Sequence, residues 1–188
     1  MISINDNDFK MSKSDNDFDY QESLTVRLDK VRTDFDQSII NEIVLWKINR
    51  YAGLDDDLIR KLNLIRNEDV KIDENLTRDV LRGLLSTKGI QLPMASTILR
   101  FKNPKLFQII DQRVYRFIYG KKLAVGYSHG KKGAEGQIDL YFEYLAQLRS
   151  ASEKLKIKFE LSDRIFFMAD KRLNSEEILD NYSRKHRE

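Results

Sequence analysis

One carboxylate stands alone in the most basic part of this chain. Between residues 88 and 132 the bases are Lys88, Arg100, Lys102, Lys105, Arg113, Arg116, Lys121, Lys122, Lys131 and Lys132, and the single acid is Asp111. The segment therefore carries a net charge of +9, against +3 for all 188 residues. A fixed anion beside a reacting centre stabilises positive charge as it develops, and it can orient or deprotonate a water. The plainer reading of Asp111 is a helix cap, a use to which helices put Asp constantly.

Other chemistries lack their residues. With no Cys there is no thiolate nucleophile, disulfide, Cys-ligated zinc or iron–sulfur cluster. His129 and His186 are the only imidazoles, too few for a His-based metal site. The basic segment itself is the footprint of a polyanion partner, since each Lys or Arg that neutralises a phosphate releases counterions. Its alternative is a solvated face balanced by acids elsewhere in the fold.

The elements that must hold these residues read as helices throughout. Pro occurs only twice, and apolar residues recur three and four positions apart. Residues 1–20 form an acidic, polar arm with the compositional marks of disorder, and residues 21–188 read as one all-helical domain. From Asp36, the residues Ile39, Ile40, Ile43, Val44, Trp46 and Tyr51 lie largely on one stripe, which predicts a buried helix closed at Gly53. Leu58, Ile59, Leu62 and Ile65 predict the inner face of a helix over 55–65. Asp69–Leu76 reads as a connector, with Thr77 capping a third helix whose Val80, Leu81, Leu84 and Leu85 point inward.

A tight turn over Lys88-Gly89-Ile90-Gln91-Leu92 follows, and Pro93 suits the first position of the next helix. Asn103-Pro104 ends that helix, because the residue before Pro is driven out of the α region. Asp111 then opens a helix that closes at Gly120. The Gly- and Lys-rich run 120–136 reads as an exposed loop, and its triplets lack P-loop spacing. Helices over 138–155, after Ser162 and after Ser175 complete the chain, with Phe166, Phe167 and Met168 read as core.

Gly89-Ile90-Gln91-Leu92-Pro93-Met94-Ala95, followed by Ile110-Asp111-Gln112-Arg113-Val114-Tyr115-Arg116, resembles the helix-hairpin-helix superfamily of DNA glycosylases, the endonuclease III-like and 3-methyladenine glycosylase-like enzymes. The likeness spans about 45 of 188 residues and places the hairpin at 77–102. It implies an all-α glycosylase-like fold in which the hairpin amides grip a DNA phosphate, with a bound monovalent cation as the one candidate ion, and Asp111 serves catalysis on an extruded base. Gln91 stands where the pattern has a second Gly. Pro93 occupies the slot of the lyase Lys, so the resemblance implies a monofunctional hydrolytic enzyme or a member that has lost activity, and the missing cysteines set the chain apart from the iron–sulfur branch.

The expected DNA-binding set is Lys88, Gly89, Ile90, Gln91, Arg100, Lys102, Lys105, Arg113, Arg116, Lys121 and Lys122. Trp46, Tyr115, Tyr119 and Tyr127 are aromatics able to sandwich a base, each of which also suits core or loop packing. No apolar run approaches the roughly 20 residues that a membrane span requires, and neither a secretory leader nor a Cys is visible, which points to the cytoplasm. Two alternatives stand beside the enzyme: a non-catalytic DNA-binding module or damage sensor, and a helical protein-interaction domain.

Overall fold

The structure, a computed structural model, describes residues 20–48, 52–123 and 133–176. Among the described residues there are eight α-helices, one short 3-10 turn and no strand, and no helix is long and apolar enough to cross a membrane. Contacts divide the chain between Gly53 and Leu54. The arm expected over residues 1–20 lies, but for residue 20, outside the described residues.

The first unit holds α1 (Glu22–Asp29) and α2 (Gln37–Lys47). Asp36 caps α2 by accepting from the Ile39 amide at 2.9 Å, and Trp46 Nε1 donates to Thr25 Oγ1 at 2.8 Å. Tyr20 meets the Trp46 ring edge-on, 5.2 Å between centroids, so Trp46 serves packing. The stripe expected to be buried is not. Ile40 and Val44 are exposed, Ile39, Ile43 and Trp46 are only half-buried and Tyr51 lies outside the described residues, because two short helices cannot cover both flanks of one apolar face.

The second unit contains α3 (Asp56–Leu64), α4 (Glu74–Ser86), α5 (Leu92–Lys102), α6 (Gln112–Tyr119), α7 (Ala134–Lys154) and α8 (Ser162–Leu173). Val80, Leu81 and Leu84 of α4 are wholly buried, as are Leu92, Ala95 and Leu99 of α5 and Ile138, Tyr141, Tyr144 and Leu148 of α7. Burial of each large aliphatic side chain is worth about 1.5–3 kcal/mol. Ile59, expected inward, is exposed. At Gly83, α4 comes so close to α3 that an added Cβ would fall 2.5 Å from Leu58 Cδ1.

Caps correct two sequence expectations. α4 begins a turn earlier than expected, because Asp73 accepts from the Leu76 amide at 3.0 Å, and Thr77 is a buried residue of the helix. Ser162 does not cap α8; its hydroxyl donates to the Phe159 carbonyl at 2.7 Å, closing a 3-10 turn over Phe159–Leu161. The final helix expected after Ser175 lies almost wholly in 177–188, and most of the Gly- and Lys-rich loop in 124–132; both stretches are outside the described residues.

The turn between α4 and α5 depends on one glycine. Gly89 takes φ +87°, and the following Ile90 amide closes onto the Thr87 carbonyl at 3.1 Å. Gln91 is extended, at φ −112°, so the missing second glycine brings no backbone strain. Pro93 falls at the second position of α5, where no intrahelical donor is lost. Nothing lies within 4 Å of a Cβ added at Gly89, so Gly89→Ala should cost only its backbone term, about 1 kcal/mol, measured by urea denaturation.

Candidate functional site

Asp111 is placed by a clamp on the backbone just before it. The Ile110 amide donates to Ser96 Oγ of α5 at 3.1 Å. From α7, Tyr141 donates to the Gln108 carbonyl at 2.9 Å and Tyr144 to that of Ile109 at 2.7 Å. Burial pushes both tyrosine hydroxyls well above their ordinary range, so they remain donors at neutral pH. An extended segment is thereby held on both flanks by side chains, as buried backbone polar groups require. Asp111 then caps α6, its Oδ1 accepting from the Arg113 amide at 2.7 Å, and Gly120 closes the helix at φ +65°.

Asp111 borders a pocket of about 380 Å³ lined by Ile109, Asp111, Val114, Asp163, Arg164, Phe167 and Met168. The wall facing α6 is thus α8. Four of these side chains are apolar, the aromatic Phe167 among them, two are carboxylates and one is the Arg164 guanidinium. The turn residues 88–91 do not line the pocket; Ser96 is the tie between α5 and the segment carrying Asp111.

Several expected phosphate ligands are committed elsewhere. Arg116 is nearly buried, its Nε and Nη2 donating to Asp170 Oδ1 and Oδ2 at 3.0 and 2.7 Å. Arg113 Nη1 lies 3.3 Å from the same carboxylate, and its guanidinium sits over the Phe167 ring at 5.8 Å. Burial pushes the Asp170 carboxyl up, but hydrogen bonds from Arg116, Asn174 and Arg113 outweigh it and hold the group below its ordinary value. Arg100 is also nearly buried, with Nη2 on the Glu160 carbonyl at 3.2 Å and Nε 3.6 Å from Asp163 Oδ2. Arg100 and Arg116 therefore lock α8 to α5 and α6 and offer no outer face to a phosphate.

The other expected bases stay at the surface. Lys88, Lys105, Lys121 and Lys122 are exposed and Lys102 is partly so, its Nζ donating to Asn63 at 2.9 Å. Ile90 is buried in the turn. Tyr115 and Tyr119 stack on each other, with centroids 4.3 Å apart, and neither lines the pocket; Tyr127 lies outside the described residues. At the turn, where a monovalent cation would need oxygen ligands, the Thr87 carbonyl already accepts from the Ile90 amide; no step proposed below passes through such an ion. Among the described residues no three His, Asp or Glu side chains gather as a metal site.

Asp163, Arg164, Phe167 and Met168 are pocket residues that the sequence reading did not place there. A signal existed: 163 and 167, like 164 and 168, are four apart and share a helix face. No family model, curated protein or solved structure matches this chain.

Proposed function

We propose that the chain binds DNA through a helix-hairpin-helix and hydrolyses the N-glycosidic bond of a modified base held in the Asp111 pocket. The observation carrying this reading is the junction of two features. A carboxylate clamped at a helix N-terminus borders a pocket in the size range of small-molecule sites, roughly 300–1,000 Å³, with an aromatic wall. Phe167 and Val114 suit the faces of a flat heterocycle. The C1′–N bond breaks with its electron pair leaving on the base, and Asp111 stabilises the cationic sugar. A water oxygen then bonds to C1′ while its proton passes to the carboxylate.

With Pro93 in place of an amine there is no Schiff base, so the product is an abasic site with an intact backbone. Lys88, Lys105, Lys121 and Lys122, with Arg164 at the pocket, supply the cationic surface that offsets the cost of base extrusion.

A salt titration of duplex binding tests the partner. Each neutralised phosphate contributes a slope of about −0.9 in log K against log[salt], so Lys88→Ala should reduce the slope by about 0.9. Absence of measurable binding at low salt would remove every nucleic-acid reading.

A further inference from the structure

We infer that Asp163 selects the ligand of the Asp111 pocket by accepting a hydrogen bond from an amino group on a nitrogen heterocycle. The inference rests on the pocket holding a base and names the class of base. Asp163 is only 3% exposed yet lines the pocket. Its Oδ1 accepts from the Arg164 amide at 2.7 Å, whereas Oδ2 is buried without a hydrogen-bond donor. Arg100 Nε, also buried and without an acceptor, lies 3.6 Å away. That distance supplies countercharge to Asp163 but no hydrogen bond.

A buried carboxylate oxygen lacking a donor is a costly arrangement that folded proteins seldom keep. Asp163 lines a pocket whose apolar walls, Ile109, Val114, Phe167 and Met168, suit a planar ring, with Asp111 and Arg164 as its other polar members. A ligand amino group completes the carboxylate. A carbonyl at the same place sets acceptor against acceptor, and the site then loses more than it would to an apolar edge. The pocket therefore favours amino-bearing bases over their oxo counterparts.

Matched pairs that exchange one amino group for a carbonyl, and with it a ring-nitrogen acceptor for an N–H donor, test this preference. Adenine against hypoxanthine and cytosine against uracil are titrated into the full-length ¹⁵N-labelled protein and followed by NMR. The amino member should bind at least about tenfold tighter, and Asp163→Asn, whose amide can donate to a carbonyl, should erase that preference. Equal affinity within both pairs, no binding of any of the four by wild type, or a preference unaltered in Asp163→Asn overturns the inference. The wild-type comparison stands even if the variant folds poorly. Amino preference without base release from any duplex leaves the inference standing and removes the glycosylase reading; base release without amino preference does the reverse.

Discussion

Replacing Asp170 by Ala is expected to destabilise the second unit by about 3–5 kcal/mol, the range for breaking a buried ion pair from one side. Asp170 is fully buried and accepts from Arg116 twice, from Arg113 and from Asn174. Its removal leaves the nearly buried Arg116 guanidinium without this carboxylate. Since α8 carries Phe167 and Met168, the same change should open the pocket wall. Urea denaturation followed by circular dichroism measures the loss, and Asp170→Ala combined with Arg116→Met should recover most of it.

Acid should act through the same carboxylate. Its native value lies below the ordinary 3.8, so its stabilisation is complete above the unfolded value, about 3.9, and disappears as pH falls through the depressed native one. Asp170→Asn should accordingly show a flatter decline in stability below about pH 4.

Asp111→Asn separates the two uses of that side chain. Asn caps helices about as well as Asp, so stability should change by less than about 1 kcal/mol. Duplex affinity, measured by fluorescence anisotropy, should hold or improve, because a negative charge near phosphates has been removed. Base release should fall on the order of 10³-fold, the scale at which loss of a transition-state electrostatic partner is felt. A variant that releases base as fast as wild type would leave Asp111 with its capping role alone.

The stretch from α5 to α6 was the most legible because its boundaries are written locally. Gly89, Pro93, Asn103-Pro104, Asp111 and Gly120 each fix a backbone state within a residue or two of where they stand. Asn103 was legible only as a stop; it is fully buried, and its Nδ2 donates to the Arg66 and Asp69 carbonyls, stitching α5 to the α3–α4 connection.

What local signals could not say is which bases face outward. Arg100 and Arg116 count as cations in any charge tally, but their acids, Asp163 and Asp170, lie 63 and 54 residues downstream, so only the folded chain reveals that the charges cancel inside. The pocket was missed for a related reason. Phe166, Phe167 and Met168 were grouped as core, yet successive helical residues point about 100° apart. Accordingly Phe166 is buried, Phe167 meets the pocket, and Met168 is exposed beside it. The inner face of α8 also carries Ser162, Asp163 and Asp170, polar residues at core positions, and such breaks in binary pattern are where functional or locking groups concentrate.

Incubation of the protein with duplexes bearing oxidised, alkylated or deaminated bases, followed by alkali to cut abasic sites, tests the central claim most directly. At least one duplex should yield strand breaks that need the alkali step and vanish in Asp111→Asn. Breaks from none of the duplexes, or breaks that persist in Asp111→Asn, would contradict the assignment of Asp111 as the hydrolytic carboxylate.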